Sequence, residues 1–237
     1  MNTVKIGKHT VRTPAVCASV AGEVSDVKRS LKIAERTGAD IAEMRIDLIR
    51  GKLEDLMPGK MPAIITNRPR REGGDFSGSE DERVGMILDS LELSPACIDL
   101  EISTPGGILR KAIKKAKQSR TSVLLSYHNF SGTPDISMLR SVLNKMVQEK
   151  CDIAKIVTNA ESKEDAFRML EFILEARGPV PSVAFAMGKE GRLTRYTSLV
   201  LGSPWTYAGV GRPTAPGQLD LKTAVEWVRV LRRLEVR

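Results

Sequence analysis

Short apolar segments alternate with longer amphipathic segments along this chain of 237 residues. The apolar segments have the length of buried strands, and the longer segments repeat their apolar residues at helical spacing. This pattern predicts strands at 15–20, 41–47, 63–68, 96–102, 122–128, 153–158, 182–187 and 205–209. It predicts helices at 27–37, 53–56, 80–91, 107–118, 136–149, 163–176, 193–201 and 221–234, the first of them capped by Ser25 or Asp26 and ended by Gly38.

Strands that alternate with helices imply a parallel sheet, and eight such units in about 220 residues are what a closed barrel requires. An open, doubly wound sheet is the alternative, but the first strand is not followed by a Gly-x-Gly-x-x-Gly turn. Residues 4–12 alternate around a Gly-Lys turn, which predicts a hairpin before the barrel. We therefore predict an α/β fold: a single-domain (β/α)8 TIM barrel over 1–237, with a short N-terminal β-hairpin in 1–13.

Two of the predicted strands carry charged residues at alternate positions. Glu43, Arg45 and Asp47 share one face of their strand, and Asp99 and Glu101 share one face of theirs. Parallel strands that are covered on both faces should be almost wholly apolar. If the apolar faces of these two strands meet the outer helices, the charged faces point into the barrel.

Lys155 interrupts the apolar strand at 153–158, which is otherwise typical of a strand buried on both faces. Burial of an ammonium without a partner is very costly and favours the neutral amine. A neutral lysine amine is a nucleophile that can form a Schiff base with a ketone. The alternative is a lysine on an edge strand that extends to solvent.

Further polar residues follow the carboxyl ends of the predicted strands, where barrel enzymes place their chemistry. His128 ends the strand before that of Lys155, so an amine nucleophile and a proton carrier would meet one substrate. Arg68 and Arg195 are candidates for binding an anion through forked hydrogen bonds. The loop at 211–218, which is rich in glycine and proline, has the character of a lid or of an ordinary surface loop.

The composition narrows the class of protein. A net charge of +8 permits an anionic ligand or nucleic acid, but 4% aromatic residues disfavour a surface that stacks single-stranded bases. Three widely spaced cysteines suggest a reducing compartment, and their spacing forms no metal motif with histidine. The chain shows no signal peptide and no apolar stretch of about 18 residues, so we expect a soluble, cytoplasmic protein.

Seven motifs, in order and from about Pro14 to the last helix, resemble those of the type I 3-dehydroquinate dehydratases. These are the Schiff-base enzymes of the shikimate pathway. Each motif is weak alone, but their common order makes the resemblance specific. The motifs are Glu43-Met44-Arg45-Ile46-Asp47, Arg68 with Glu72-Gly73-Gly74, Ile98-Asp99-Leu100-Glu101, Ser126-Tyr127-His128-Asn129-Phe130, Lys155-Ile156, Met187-Gly188-Lys189-Glu190-Gly191 with Arg195, and Ala215-Pro216-Gly217-Gln218.

The resemblance implies a lyase that dehydrates 3-dehydroquinate to 3-dehydroshikimate, on the route to chorismate and the aromatic amino acids. It implies that Lys155 forms the imine, that His128 transfers the proton and that Glu72 orients the imidazole. It further implies a homodimer that needs no cofactor and no metal, and that binds neither nucleic acid nor membrane. The implied substrate-binding residues are Ser19, Glu43, Arg45, Arg68, Arg195, Thr214 and Gln218.

Two positions depart from the family pattern: Thr214 stands where serine is frequent, and Tyr207 where phenylalanine is common. Another Schiff-base barrel, such as a class I aldolase, is an alternative enzyme that would share Lys155. Aldolases often bind phosphate in the loops after strands 7 and 8, and these loops show no evident glycine-rich phosphate site. A basic RNA-binding protein is the non-enzymatic alternative, but it leaves the inward charges and His128 unexplained.

Overall fold

The computed structural model describes residues 2–178, 180–211 and 217–234. Its strands are β1 (Thr3–Ile6), β2 (His9–Arg12), β3 (Ala15–Glu23), β4 (Ile41–Arg50), β5 (Ala63–Thr66), β6 (Cys97–Glu101), β7 (Ser122–Asn129), β8 (Ile153–Asn159), β9 (Ser182–Met187), β10 (Trp205–Gly209) and β11 (Leu219–Asp220). Its α-helices are α1 (Val24–Thr37), α2 (Glu80–Asp89), α3 (Gly106–Gln118), α4 (Ile136–Gln148), α5 (Lys163–Glu175), α6 (Gly188–Gly191), α7 (Thr194–Val200) and α8 (Leu221–Leu234). Short 3-10 helices cover Leu53–Leu56, Arg70–Glu72 and Ser90–Leu93.

Nine parallel strands form one curved sheet in the order β11, β10, β3, β4, β5, β6, β7, β8, β9. Strand β10, near the end of the chain, pairs with β3, the first strand of the barrel, so the sheet curls round on itself. At the junction of β9 and β10, the Ala184 N–H donates to the Ser203 hydroxyl at 3.2 Å, and the Phe185 and Tyr207 rings lie 6.4 Å apart. The predicted α/β barrel class is confirmed, as is the antiparallel hairpin of β1 and β2.

The two faces of the sheet carry different side chains. Ala42, Met44, Ile98 and Leu100 pack in the layer between the sheet and the helices. The alternate positions of β4 and β6 therefore face the barrel interior, as the charge pattern predicted.

The N-terminal hairpin closes the end of the barrel at which the strands begin. Ile6 is fully buried and packs in one cluster with Ile153 and Trp205 of the barrel interior. Gly7 forms the turn at φ +56°, and its N–H donates to the Ser122 hydroxyl at 2.8 Å. A Cβ at Gly7 would lie 2.7 Å from the Ala96 carbonyl oxygen, so the turn requires glycine on steric as well as conformational grounds. The hairpin does not cover the opposite end of the barrel, where the strands end.

Some boundaries differ from the prediction. Helix α1 begins at Val24 behind Glu23, which makes no side-chain capping bond among the described residues, so the capping role given to Ser25 or Asp26 is wrong. Gly38 does end this helix, at φ +103°. The helix predicted at 193–201 begins later, at Thr194, and is preceded by the separate α6. None of the described helices has the length and hydropathy needed to cross a membrane.

Candidate active site

A pocket lies at the carboxyl ends of the barrel strands, opposite the hairpin. It is lined by all the predicted catalytic and substrate-binding residues that the structure describes: Ser19, Glu43, Arg45, Arg68, Glu72, His128, Lys155, Arg195 and Gln218. Thr214 and the central part of the predicted lid lie outside the described residues. Gly73, Phe130, Val157, Phe185, Met187 and Tyr207 complete the lining.

Lys155 lies in the middle of β8, and its side chain is 6% exposed, which excludes a lysine that extends to solvent. Its Nζ lies 3.3 Å from Asp99 Oδ2 and 3.5 Å from Glu43 Oε1. The face of the Tyr207 ring lies 4.4 Å from the same nitrogen, measured to the ring centroid. The buried amine thus has three neighbours that attract positive charge, which the strand pattern alone did not predict.

His128 lies at the end of β7, beside Lys155 on β8, and its Nδ1 lies 3.1 Å from Glu72 Oε2. Burial, followed by the charges of Arg68 and Lys155, lowers the pKa of His128 well below 6.5. The imidazole is therefore neutral at pH 7. With Nδ1–H donating to Glu72, the lone pair of Nε2 is left for a proton.

Both carboxylate oxygens of Glu72 accept hydrogen bonds. Its Oε2 also accepts from the backbone N–H of His128 at 3.2 Å, and its Oε1 accepts from the Ser103 hydroxyl at 2.6 Å. Burial raises the pKa of Glu72, while the hydrogen bond from Ser103 and the charge of Arg68 act in the opposite direction. The carboxylate is thereby fixed in position beside the imidazole.

The two glycines after Glu72 permit the tight turn that places it there. Gly73 has φ +78°, and a Cβ on it would lie 2.1 Å from Cζ of Phe130. A Cβ on Gly74 would lie 1.9 Å from the carbonyl oxygen of Arg68. The Glu-Gly-Gly sequence is thus required by close packing against the end of β7 and against the backbone that carries Arg68.

The inward charges of β4 and β6 are paired within the barrel. Arg68 donates to Asp99, to Glu101 and to the Ser126 hydroxyl. The fully buried Glu101 and Asp99 lie on alternate positions of β6, so one guanidinium spans both. Forked hydrogen bonds of this kind fix the plane of a guanidinium.

The same pairing continues on β4. Arg45 forms a two-point ion pair with Asp47, through Nε to Oδ1 at 2.9 Å and Nη2 to Oδ2 at 2.7 Å. Glu43 accepts from the Ser19 hydroxyl at 2.6 Å and from the Thr66 hydroxyl at 3.2 Å. The charged face that the sequence predicted is therefore an ordered polar network rather than a solvated surface.

Arg195, at the start of α7, brings a positive charge to the rim of the pocket. It is 1% exposed, and its guanidinium lies 4.2 Å above the Phe185 ring. Burial lowers its pKa to about 10, so it carries a full charge at pH 7. Gln218 is half-buried and also lines the pocket. An anionic group bound near Arg195 would be attracted by a largely desolvated cation.

Residues 16–235 match the family model described as "Type I 3-dehydroquinase". This chain belongs to the type I 3-dehydroquinase family. It is 35% identical to a 3-dehydroquinate dehydratase of Methanococcoides burtonii, over 94% of this chain and 98% of that one. The identity is 40% to a 3-dehydroquinate dehydratase of Thermococcus onnurineus, over 80% of this chain and 88% of the relative. The crystal structure of 3-dehydroquinate dehydratase from Geobacillus kaustophilus has a TM-score of 0.88 at 25% identity, and the match covers 98% of this chain and 97% of that one.

Ser103 and Ser126 bond to Glu72 and Arg68 of this type I 3-dehydroquinase pocket, but neither is among the predicted site residues, and Ser126 was noted only as part of the motif that contains His128. Ser103 follows the end of β6, and Ser126 lies on β7 among apolar neighbours. Their positions at the carboxyl ends of strands were a signal for Ser103 and, more weakly, for Ser126. Tyr207 departs from the family pattern, and its position over Lys155 follows from the fold alone. Within the described ranges, no three His, Cys, Asp or Glu side chains form a group suited to a metal ion.

Proposed function

We propose that this chain is a 3-dehydroquinate dehydratase that forms an imine between its substrate and Lys155. The main support for the proposal is structural. Lys155 and the His128–Glu72 pair share one pocket with the buried cation Arg195. Membership of the type I 3-dehydroquinase family supports the choice of substrate. The partly buried pocket offers a nucleophile, a base and a carboxylate site together.

The first step is attack of the Lys155 amine on the substrate ketone. Attack requires the free amine, so the ammonium proton must be transferred first. Asp99 and Glu43 lie 3.3 Å and 3.5 Å from Nζ and are acceptors within reach. The proton is then returned to the hydroxyl group of the carbinolamine, which leaves as water. The product is an iminium, whose positive charge replaces that of the ammonium.

The second step is elimination. Neutral His128 removes a proton from the carbon next to the iminium, and the electron pair moves to the imine nitrogen to give an enamine. Glu72 stabilises the resulting imidazolium through Nδ1–H. The imidazolium then protonates the departing hydroxyl group, and the enamine electrons expel it as water. Hydrolysis of the conjugated iminium releases 3-dehydroshikimate and restores Lys155.

We assign the substrate carboxylate to Arg195 and Gln218, with Thr214, and the ring hydroxyls to Ser19, Glu43, Arg45 and Arg68. The charge of Arg195 at pH 7 and its burial favour binding of a carboxylate. Arg68 already donates to Asp99 and Glu101, so it also orders the polar network of the pocket.

The proposal extends to the setting of the reaction. The chain would act in the shikimate pathway in the cytoplasm, as a homodimer of single-domain barrels. It needs no cofactor, because the iminium accepts the electron pair that a metal or pyridoxal would otherwise accept. Its partner is the small-molecule substrate, with no nucleic acid and no membrane involved.

Addition of 3-dehydroquinate to the purified protein tests the proposal directly. We expect the ultraviolet absorbance of a conjugated enone carboxylate to rise with the wild type, and not with a folded Lys155→Ala variant. A folded wild type that produces no enone would overturn the proposal. Cleavage of a carbon–carbon bond without enone formation would instead indicate an aldolase.

A further inference from the structure

Arg83 lies on α2, outside the barrel sheet, and is completely buried. Its guanidinium donates to the Asn67 carbonyl at 3.0 Å and to the Thr104 hydroxyl at 2.8 Å. It also forms ion pairs with Glu80, at 3.0 Å, and with Glu101. A buried arginine with this many partners is held firmly at the carboxyl ends of β5 and β6.

The Glu101 carboxylate bridges two guanidiniums. Its Oε1 accepts from Arg68 on the inner side, and its Oε2 is paired with Arg83 on the helix side. The Glu101 side chain has no exposure to solvent. Because a buried carboxylate is costly unless both oxygens are matched by positive charge, each arginine supports its ionised form.

This bridge continues to the proposed nucleophile. Arg68 also pairs with Asp99, and Asp99 Oδ2 lies 3.3 Å from Lys155 Nζ. Charges of alternating sign therefore run from Arg83 through Glu101, Arg68 and Asp99 to Lys155. Of these five residues, Arg83 alone lies on an outer helix. It does not line the pocket.

We propose that Arg83 is a positioning residue that pairs with the Glu101 carboxylate and thereby holds Arg68 and Asp99 in place beside Lys155. The inference rests on the proposed dehydratase function and adds to it a residue outside the pocket. Arg83 touches no reacting atom and acts through Glu101.

The charges around Glu101 give the direction of the effect. Arg68 and Arg83 face it as cations, while Asp99 and Glu72 are the nearby anions. Burial raises the pKa of Glu101 to about 7, although the charges of the two guanidiniums act in the opposite direction. Without Arg83, one cation faces two anions, so the pKa of Glu101 rises further and the protonated form dominates at pH 7. Arg68 then loses one of its two charged partners.

Two substitutions of Arg83 separate charge from packing. In Arg83→Gln the positive charge is lost, so we expect kcat/KM at pH 7 to fall by about tenfold or more. The rising limb of the kcat/KM profile should move up by about one pH unit, because Glu101 ionises only at higher pH. In Arg83→Lys the charge stays, so kcat/KM should remain within about threefold of the wild type, although fewer hydrogen bonds lower the Tm.

An arginine of another helix provides the control. Arg140 on α4 forms a forked but exposed pair with Glu175, so Arg140→Gln should leave kcat/KM and its pH profile unchanged. The inference is overturned if Arg83→Gln folds and keeps the wild-type profile, or if both Arg83 variants lose equal activity in proportion to their Tm. If Arg83→Gln does not fold, Arg83→Lys decides: activity within about threefold supports the inference, and a tenfold loss contradicts it. If the wild-type protein forms no enone, the proposed function itself is contradicted. That result is distinct from any result on the Arg83 variants.

Discussion

Lys155 lies among groups that attract positive charge, namely Asp99, Glu43 and the face of the Tyr207 ring. In the proposed reaction the ammonium is replaced by an iminium, which carries the same charge at nearly the same place. Groups that hold the ammonium in the free site therefore also stabilise the intermediate. The free amine, which bears no charge, is needed only for the moment of attack.

The contribution of the Tyr207 ring can be measured with two substitutions. Tyr207→Phe keeps an aromatic face over Lys155, so kcat should stay within about threefold of the wild type. Tyr207→Leu removes that face. The charged iminium then forms from the neutral carbinolamine without a desolvated cation–π contact of about 1–2 kcal/mol, which predicts a fall in kcat of roughly 5- to 30-fold. Steady-state kinetics on both folded variants gives the comparison. Equal activities of the two variants would show that the ring acts by packing alone.

His128 should remain neutral at pH values where a free imidazole is half protonated. Burial and the charges of Arg68 and Lys155 lower its pKa well below 6.5. The chain has two histidines, so nitrogen NMR of the imidazoles yields two titrating sets, and a His9→Gln variant identifies the set of His128. We expect His128 to show the neutral form throughout a titration down to pH 6. A midpoint at 6.5 or above would contradict the lowered pKa of His128.

At the scale of elements, the strand period predicted which faces of β4 and β6 point inward, because charged and apolar residues alternate there. The sequence could not predict the partners of those charges, since Arg68 and Glu101 are far apart in the chain and meet only in the barrel. Arg83 was missed for a related reason. It follows Glu80-Asp81-Glu82, which is typical of an exposed helix surface, and only the contact with Glu101 reveals its burial.

Boundaries of short elements also depended on tertiary contacts. A Cβ at Gly191 would lie 2.7 Å from the carbonyl oxygen of Ala186, so α6 packs directly against the end of β9. The Thr194 hydroxyl donates to the Gly191 carbonyl at 2.6 Å and accepts from the Ala186 N–H at 2.8 Å. These contacts separate α6 from α7, and the apolar pattern of the region gives no sign of them.

The hairpin of β1 and β2 is expected to stabilise the barrel without taking part in the reaction. Ile6→Ala would leave a cavity among Ile153 and Trp205, which predicts a loss of about 2–5 kcal/mol in the free energy of unfolding. The folded fraction should keep the wild-type kcat, because the pocket lies at the opposite end. Denaturant unfolding measures the change, and Lys5→Ala, at an exposed position of the same strand, serves as the control. A loss below about 0.5 kcal/mol for Ile6→Ala would show that the hairpin is dispensable.

At the scale of the whole molecule, the interior of the barrel is divided between an apolar lower half and a charged upper half. The lower half includes Ile6, Ile153 and Trp205, and the upper half holds the network around Lys155. The apolar half supplies stability through burial, whereas the paired charges chiefly fix geometry. Apart from Ile6 of the hairpin, these residues of the two halves lie on or next to one nine-stranded sheet.

A single-domain barrel should unfold in one cooperative step. Trp205 is fully buried in the lower half, and a Trp227→Phe variant makes it the sole tryptophan of the chain. We expect its fluorescence and the far-ultraviolet circular dichroism to change at the same denaturant concentration. Two separated transitions would contradict the single-domain prediction.

In the proposed reaction, Lys155 forms an imine with the substrate. Borohydride reduces an imine to a stable amine, so treatment in the presence of 3-dehydroquinate should leave a permanent mass on the protein. We expect this mass in the wild type, on the peptide that contains Lys155, and we expect none in a folded Lys155→Ala variant. Mass added equally to that variant, or an active wild type that gains no mass, would contradict the account.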